Sequence, residues 1–293
     1  MLRLGRAPAK LNLTLELTGR RADGYHELAA VSQTIAWSDV VGVEVAGRDW
    51  RDPCRLTVSG PFGPEVPAGD QNILMRAADL LRDAGRIGHI SRLVLDKRVP
   101  TRSGLGGGSA DAAALIRLAC EGQIDDVLLK IALRCGADVP FALVGGAALL
   151  GGVGDLISPV TPLAAGVFLI ALLDEVSTAA AYGAVRSEDF SSGDRSAAVV
   201  RALSAGTRPD PDLLGSALLP AALRVSPTLS DRLEALRSAT PRARWSMTGS
   251  GGAFFTLLDS AEEAMEAAAA VALKLPRVLL RAVLPEPRWP DQT

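Results

Sequence analysis

The chain has 293 residues, 48% of them hydrophobic, and a formal net charge of −2 at pH 7, which is typical of about two globular domains with a buried core. The balanced charge and the 4% aromatic content provide neither a basic surface nor a stacking surface for nucleic acid. The 3 cysteines are far apart, which predicts free thiols and argues against a disulfide framework. No signal peptide and no long apolar run is visible in the sequence, so we expect a cytoplasmic protein.

The first predicted element is a strand over residues 10–17, in which polar side chains alternate with leucines. Alternation places the leucines on one face of the strand and the polar side chains on the other. The polar face is predicted to be solvated at Thr14 and Glu16. Lys10 begins the strand, where a side chain can reach over the edge of a sheet, so a purely solvated role is less favoured for this lysine.

A tight turn is predicted after this strand. Asp23-Gly24 is a typical turn pair, and Tyr25 and His26 follow it directly. The turn therefore presents an aromatic ring and an imidazole together where the loop ends. A lone histidine is more often structural than functional, and spacing alone does not decide between the two roles for His26.

Four further elements lead towards the middle of the chain. Alternating valines predict a strand at 41–45, and a second strand is predicted at 56–58. Asp70-Gln71-Asn72 is typical of a helix cap, and the amphipathic helix that follows it is predicted to end at Gly85. A strand at 93–97 then precedes a stretch rich in glycine.

The glycine-rich stretch, residues 100–114, has four glycines between positions 104 and 108, followed by an alanine-rich helix. Unpaired N–H groups at the start of a helix, together with the helix dipole, form a site for phosphate. The stretch is not a Walker A loop, because it contains no lysine, and the dinucleotide fingerprint needs a glycine in place of Ser109. A tight turn without a ligand is the alternative, but four glycines with Ser109 favour an anion-binding loop.

A helix is predicted over 124–135, and an aspartate lies just beyond it. Asp138 stands two residues before Pro140, which restrains the backbone. An aspartate in such a position commonly makes a turn hydrogen bond. The residues alone favour that role over a catalytic one.

The second half of the chain begins after residues 159–162, interpreted as a hinge between two domains, 1–160 and 161–293. The polar segment 187–211 is predicted to be peripheral, and residues from Trp289 onward to be a loose tail. The remaining elements predict an open α+β arrangement: a strand over 167–173, an N-capped helix over 176–182, helices between 213 and 236, a strand before a glycine turn at 248–252, a strand over 253–257, a helix over 261–273 and a strand over 278–283.

These motifs resemble those of the GHMP kinases and, within them, the family of 4-diphosphocytidyl-2-C-methyl-D-erythritol kinases. The glycine-rich stretch resembles the phosphate loop of the whole superfamily. The run Arg21-Ala22-Asp23-Gly24-Tyr25-His26 is far more specific for the family. Other matching motifs follow in the family's order at 8–13, 136–141 and 247–252.

The resemblance implies an α+β fold with a GHMP-type ATP-binding domain, 1–160, and a ferredoxin-like domain, 161–293. It implies a transferase of the non-mevalonate isoprenoid route that phosphorylates a hydroxyl of 4-diphosphocytidyl-2-C-methyl-D-erythritol with ATP and gives the 2-phosphate and ADP. Its expected partners are these small molecules, with neither nucleic acid nor membrane. The alternatives are a GHMP kinase of the mevalonate or homoserine type, and a non-catalytic binding protein on the same fold.

The resemblance also implies roles for individual residues. Asp138 matches the catalytic base, and Lys10 matches the lysine that pairs with it and stabilises charge during transfer. Mg²⁺ is implied as the counter-ion of ATP, with no protein ligand assigned to it. The matching substrate-binding positions are Asn12, Tyr25, His26, Thr178 and Tyr182. The matching ATP-binding positions are Asn72, Lys97, Pro100, Gly104, Leu105, Gly106, Gly107, Gly108, Ser109, Ala110, Gly249, Ser250 and Gly251.

The connection from Cys120 to Asp126 is short where the family often has a longer one, and two positions depart from the family pattern. Gly215-Ser216-Ala217 stands where the family has an asparagine before a leucine-rich helix, and Gly252 ends a Gly-Ser-Gly motif that is more usually followed by serine or proline. Neither departure touches Lys10 or Asp138. The sequence leaves their effect open.

Overall fold

The computed structural model describes residues 1–47, 52–67 and 69–286, and within them it contains a seven-stranded and a four-stranded sheet. No helix in these ranges has the length and apolar character needed to cross a membrane. The tail predicted from Trp289 onward lies outside the described residues.

Strands and helices follow one another through both halves of the chain. The strands are β1 (Leu2–Arg20), β2 (His26–Ala46), β3 (Arg55–Ser59), β4 (His89–Asp96), β5 (Ala147–Gly151), β6 (Leu156–Val160), β7 (Val167–Leu172), β8 (Gly215–Ser216), β9 (Ser246–Met247), β10 (Ala253–Leu258) and β11 (Leu279–Val283). The helices are α1 (Ile73–Asp83), α2 (Gly107–Ala119), α3 (Asp126–Cys135), α4 (Val139–Val144), α5 (Thr178–Gly183), α6 (Asp194–Ser204), α7 (Leu219–Val225), α8 (Pro227–Ala239) and α9 (Ala261–Lys274).

The first sheet carries helix α2 at the centre of its core. Its strand order is β3-β4-β2-β1-β8, and β5 and β6 extend it along another part of β2. Helix α2 packs on β1 and β2 and between α1 and α4. Most of its side chains are buried, because small alanines let the helix approach the sheet closely. This packing fixes the position of Gly107, the first residue of α2, within the glycine-rich stretch.

A register shift divides the polar face that was predicted for β1. The pairing of β1 with β2 slips between Asn12 and Thr14, and an extra residue of this kind turns the following side chains to the opposite face. Lys10 and Asn12 therefore line a cavity, whereas Thr14 and Glu16 contact α6. The prediction that Thr14 and Glu16 are solvated is wrong, since they are 0% and 1% exposed.

The same shift divides the leucines of β1 between two cores. The prediction of a single leucine face is wrong. Leu11 and Leu13 pack in one apolar cluster with β7 and β10, whereas Leu15 and Leu17 pack in another with α8. Both sides of β1 are thus covered. The alternation in the sequence predicts an exposed face that the fold does not have.

Helix α6 lies in the segment predicted to be peripheral, and that prediction is also wrong. Its residues Ser196, Val199 and Leu203 are buried against the first sheet. The Ser196 N–H donates to Glu16 Oε2 over 2.7 Å, and the Ser191 hydroxyl donates to Glu16 Oε1 over 3.0 Å. A carboxylate from β1 thus satisfies a free N–H group at the start of α6.

Replacing Glu16 by glutamine is expected to lower the free energy of unfolding at neutral pH by about 1–3 kcal/mol, the usual contribution of hydrogen bonds to a charged group. Burial alone would raise the pKa of Glu16, but the hydrogen bonds from Ser196 and Ser191 outweigh it and hold the pKa below its ordinary value of 4.5. A depressed carboxyl pKa stabilises the fold above the unfolded-state pKa, and this stabilisation is lost as pH falls through the folded-state pKa.

Urea unfolding at neutral pH and in acid checks this prediction. The difference between the wild type and Glu16→Gln should be largest at neutral pH and should shrink as the pH falls below 4.5. Glu234→Gln, on the exposed side of α8, provides the matched control and should unfold like the wild type. A difference that stayed constant with pH would contradict the role given to the Glu16 carboxylate.

The second sheet has the strand order β11-β7-β10-β9 and is antiparallel throughout. Numbered within this sheet, the order is 4-1-3-2, and helices stand between its first and second strands and between its third and fourth. This β-α-β-β-α-β arrangement is the ferredoxin-like topology expected for the second half. Helices α8 and α9 pack together, and buried side chains from both share a core with β7 and β10.

One short strand of the second half joins the first sheet. Strand β8 pairs in parallel with β1, with Gly215 opposite Thr14 and Ser216 opposite Leu15. The first sheet is therefore not built from residues 1–160 alone. The division into domains 1–160 and 161–293 stays a prediction.

Candidate active site

Two cavities meet at the glycine-rich stretch. The larger has a volume of about 880 Å³ and contains Lys10 and Asp138, and the smaller has a volume of about 350 Å³ and lies along the first turn of α2. Gly104, Gly106 and Ser109 line both cavities. Groups bound in the two cavities would therefore meet at these residues.

The glycines before α2 adopt conformations that other residues rarely take. Gly104 has φ +83° and Gly106 has φ +69°, and Gly106 is the cap residue of α2. A Cβ atom on Gly106 would lie 3.0 Å from Cγ of Lys10. The loop thus passes directly over Lys10, whose own N–H donates to the Leu105 carbonyl over 2.9 Å.

Lys10 and Asp138 form an ion pair beside this loop. Nζ of Lys10 lies 3.4 Å from Oδ2 of Asp138, and the lysine side chain is 8% exposed while the aspartate side chain is 42% exposed. Asp138 precedes α4, but its carboxylate makes no capping hydrogen bond to that helix. The carboxylate therefore lies at the cavity, paired with one buried ammonium.

Asn12 holds the Lys10 ammonium in place. Oδ1 of Asn12 accepts a hydrogen bond from Lys10 Nζ over 2.5 Å, and Nδ2 donates to the Ser32 hydroxyl over 2.8 Å. The N–H of Asn12 donates to Oγ1 of Thr248 over 2.8 Å. Because Asn12 is 3% exposed and its amide is engaged at both ends, its main effect is to orient Lys10.

Aromatic rings gather at the far end of the larger cavity. The His26 ring lies 5.4 Å from the Tyr182 ring and 5.8 Å from the Phe190 ring, measured between centroids. Tyr25 is 67% exposed at the rim. Burial, with a smaller contribution from Arg20, lowers the pKa of His26, and burial raises the pKa of Tyr182 to about 12, so both rings are neutral near pH 7.

The smaller cavity has a capped helix on one side and a buried charge cluster behind it. Oδ1 of Asn72 accepts from the Leu74 N–H at the start of α1 over 2.9 Å. Lys97 Nζ lies 2.6 Å from Oδ2 of Asp39 and 2.7 Å from Oδ2 of Asp111. Burial raises the pKa of Asp111 well above its ordinary value, with Lys97 opposing this rise and Asp39 adding to it.

This geometry agrees with what the comparisons with known proteins show. Residues 72–146 match the family model described as the GHMP kinases N terminal domain. A 4-diphosphocytidyl-2-C-methyl-D-erythritol kinase of Pelotomaculum thermopropionicum is 36% identical over 276 residues, which cover 90% of this chain and 91% of the relative. The kinase of the same name from Thermus thermophilus is 38% identical over 269 residues, with the same coverage. The chain belongs to the 4-diphosphocytidyl-2-C-methyl-D-erythritol kinase family.

Solved structures support the fold of this 4-diphosphocytidyl-2-C-methyl-D-erythritol kinase family member. A crystal structure of a 4-(cytidine 5'-diphospho)-2C-methyl-D-erythritol kinase superposes with a TM-score of 0.72 at 35% identity and covers 97% of this chain and 99% of that one. A homoserine kinase from Cytophaga hutchinsonii has a TM-score of 0.71 at 19% identity, covering 98% of this chain and 95% of that one, and shows the fold alone. The predicted GHMP kinase fold is confirmed.

The structure brings most of the predicted site residues of this family member to the two cavities. The larger cavity is lined by Lys10, Asn12, Tyr25, His26, Asp138, Thr178, Tyr182, Gly249 and Ser250. The smaller is lined by Asn72, Lys97, Pro100, Gly107 and Gly108. Gly104, Gly106 and Ser109 belong to both. Predicted ATP-binding positions that line neither cavity are Leu105, Ala110 and Gly251.

The motif at 247–252 lies on the larger cavity, although the family resemblance assigns it to ATP. The Thr178 and Ser250 hydroxyls are 2.8 Å apart, so this turn contacts the start of α5. Gly251 has φ +133°, and a Cβ atom there would lie 2.8 Å from Cβ of Val176. The turn thus connects the second sheet to the wall that carries Tyr182.

Some residues around the site were not predicted. Phe190 lies in the segment interpreted as peripheral, and Ser32, Asp39 and Asp111 contact predicted residues from strands or helix turns distant in sequence. Asp111 offered one signal, since a carboxylate within an alanine-rich buried helix needs a cationic partner. The other three are recognisable only from tertiary contacts.

Both departures from the family pattern have structural roles here. Gly215 and Ser216 form β8, and the Ser216 hydroxyl donates to the Gly249 carbonyl over 2.8 Å. Gly252 has φ +92°, and a Cβ atom there would lie 2.9 Å from the Asp174 carbonyl oxygen. A larger residue at this position would require the turn to shift.

Proposed function

We propose that this member of the family transfers the γ-phosphoryl group of ATP to the 2-hydroxyl of 4-diphosphocytidyl-2-C-methyl-D-erythritol, giving the 2-phosphate and ADP in the non-mevalonate isoprenoid route. The observation that carries the proposal is that two cavities share Gly104, Gly106 and Ser109, with Lys10 and Asp138 beside them. A nucleotide in the smaller cavity would direct its phosphates towards a substrate in the larger one.

The first turn of α2 would bind the ATP phosphates. Its free N–H groups and the positive end of its dipole favour anions, and the absence of side chains on Gly106 and Gly108 leaves room for close approach. Ser109 lines both cavities and would offer a hydroxyl to a phosphate or to the cation.

Mg²⁺ would enter with ATP. The described residues contain no cluster of three carboxylate, histidine or cysteine side chains that could hold a metal by themselves. Mg²⁺ that enters with a nucleotide is bound mainly through the phosphates and retains much of its water, so it needs few protein ligands. The cation would neutralise phosphate charge during transfer.

Asp138 and Lys10 would carry the transfer step. Asp138 accepts the proton of the substrate hydroxyl. As the proton leaves, the hydroxyl oxygen bonds to the γ-phosphorus, and the bond between the γ-phosphorus and the leaving oxygen of ADP breaks. Lys10, held by Asn12, stabilises the negative charge that moves across the reacting groups. Phosphoryl transfer depends mainly on positioning and electrostatics, so these two charged groups and the loop form a sufficient set.

The rings of Tyr25, His26 and Tyr182, called here the ring cluster, would bind the cytosine. Neutral His26 has one ring N–H donor and one acceptor nitrogen, which suits the polar edge of a base, and Tyr25 and Tyr182 line the cavity with ring faces for stacking. Phe190 packs on the His26 ring. A substrate without a base would leave these rings without a partner. This end of the cavity therefore favours a cytidylyl substrate over mevalonate or homoserine.

ADP release from Mg-ATP tests the proposal. The purified protein is assayed with the cytidylyl substrate and, in parallel, with mevalonate, homoserine and galactose. We expect turnover with the cytidylyl compound only. Turnover with another alcohol would overturn the assigned substrate, and ATP binding without turnover on any of them would favour a non-catalytic binding protein.

Replacing His26 by alanine is expected to raise KM for the cytidylyl substrate by roughly five- to thirtyfold, since a lost hydrogen bond and stacking contact together contribute about 1–2 kcal/mol. The preference for cytidine over a uridine analogue should relax as well. His89→Ala, which removes the other histidine of the chain, is the matched control and should behave like the wild type. Unchanged selectivity in His26→Ala would remove this residue from the base pocket.

A further inference from the structure

A buried charge cluster lies directly behind the first turn of α2. It consists of Asp39, Lys97 and Asp111, defined here as the carboxylate–lysine cluster, and all three side chains are at most 3% exposed. Both ion-pair distances are short, at 2.6 and 2.7 Å. The ammonium that the family resemblance assigns to ATP is thus already bonded to two carboxylates inside the protein.

The cluster joins β2, β4 and α2, and residues of the last two line the smaller cavity. Asp39 comes from β2, Lys97 follows β4 directly, and Asp111 lies in the second turn of α2. Oδ1 of Asp39 also accepts hydrogen bonds from the N–H groups of Arg98 over 2.5 Å and Val99 over 2.7 Å. One carboxylate therefore holds both the ammonium and the backbone that leads into the glycine-rich stretch.

The main chain of Lys97 binds the turn that follows β3. Its N–H donates to the Ser59 carbonyl over 2.8 Å, and its carbonyl accepts from the Phe62 N–H over 3.1 Å. A Cβ atom on Gly60 would lie 2.5 Å from the Lys97 carbonyl oxygen, so this turn packs closely on Lys97. The segment after the turn carries Val66, which lines the smaller cavity.

The first turn of α2 rests on the ammonium. A Cβ atom on Gly107 would lie 3.0 Å from Nζ of Lys97 and 3.1 Å from Cγ1 of Val99. Gly107 therefore lies between the cluster and the smaller cavity, which it lines together with Gly106 and Ser109. A shift of Lys97 would move the N–H groups of this turn.

We propose that Asp39, Lys97 and Asp111 position the first turn of α2 for the nucleotide phosphates, and that Lys97 is a positioning residue and not a phosphate ligand. The inference rests on the proposed function, since it takes the smaller cavity as the ATP site. Buried ion pairs contribute little net stability because desolvation offsets their attraction. Fixed geometry at the phosphate site is the benefit that this cluster provides.

Asp111 offers the sharpest test, because the two roles of Lys97 predict opposite results. Asp111→Ala removes one of the two carboxylates and leaves the ammonium bonded to Asp39 alone. If the cluster positions α2, the Kd for ATP and ADP should rise roughly tenfold to a hundredfold, as misplacement of binding groups typically costs. If Lys97 is itself a phosphate ligand, the loss of one competing carboxylate should leave nucleotide affinity unchanged or higher.

The conservative variant separates positioning from a general structural role. Asp111→Asn retains an oxygen that can accept from Lys97 and should restore most of the lost affinity. Asp111→Leu has the same number and branching of side-chain heavy atoms but cannot accept a hydrogen bond. It should weaken nucleotide binding like Asp111→Ala, and it replaces Asp111→Ala as the test if the alanine variant does not fold. Lys130→Met, on the exposed side of α3, is the matched control for a lost charge in the same half of the chain.

Calorimetric titration with ADP, ATP and the cytidylyl substrate, well below the unfolding midpoint of each variant, provides the readout. Weaker nucleotide binding with an unchanged Kd for the cytidylyl substrate would support the inference. Lower thermal stability with unchanged Kd values for all three ligands would overturn it. A wild type that binds neither ADP nor ATP would instead refute the proposed function.

Discussion

Replacing Asp138 by asparagine is expected to lower kcat by about 10²- to 10⁴-fold, the usual contribution of a positioned acid or base. The amide cannot accept the hydroxyl proton, and it removes the charge that Lys10 balances at 3.4 Å. KM for both substrates should change little, because the loop and the ring cluster remain. Steady-state ADP release measures both constants.

Asp231→Asn, on the exposed side of α8, is the matched control for Asp138→Asn and should retain wild-type kcat. Thermal unfolding of Asp138→Asn should resemble that of the wild type, since this carboxylate makes no capping hydrogen bond to α4. Equal turnover in the wild type and Asp138→Asn would exclude the assigned role of base.

Gly106→Val is expected to lower kcat/KM by about 10²-fold or more, which is the cost of misplacing a catalytic group by about 1 Å. Gly106 has φ +69°, a conformation that a β-branched residue strongly disfavours, and its Cβ atom would lie 3.0 Å from Cγ of Lys10. The substitution therefore disturbs the loop and the lysine together. ADP release at several ATP concentrations measures the loss.

Gly122→Val separates backbone strain from displacement of Lys10. Gly122 has a similar φ of +75°, but no described atom lies within 4 Å of its Cβ position. This variant should lose stability while keeping kcat/KM. A comparable loss of kcat/KM in both variants would show that strain alone, and not contact with Lys10, explains the effect of Gly106→Val.

Local sequence signals predicted the elements that carry the chemistry. The glycine-rich stretch leads into α2 because glycine suits the left-handed turn and alanine suits a closely packed helix, and both preferences act over a few residues. The capped start of α1 at Asn72 is equally local. Lys10 and Asp138 were assigned through the family motifs, and the structure places them 3.4 Å apart.

Tertiary contacts explain what the sequence did not show. The bulge after Asn12 turns Thr14 and Glu16 inward, and an alternating pattern contains no mark of the extra residue. Ser196 of helix α6 is buried because it bonds to a buried carboxylate from β1, and the polar sequence of 187–211 does not reveal that partner. The partners of Lys97 lie 58 residues before it and 14 after it, so the cluster exists only once the sheet has formed.

Phosphorus NMR of the reaction mixture tests most directly whether the two cavities act as one site for phosphoryl transfer. We expect the γ-phosphoryl signal of ATP to be replaced by a new monophosphate coupled to C2 of the methylerythritol, with the diphosphate of the cytidylyl group intact and one ADP formed for each product. Inorganic phosphate in place of the new monoester, or a phosphorylated product from an alcohol that lacks cytidine, would contradict this reading of the site.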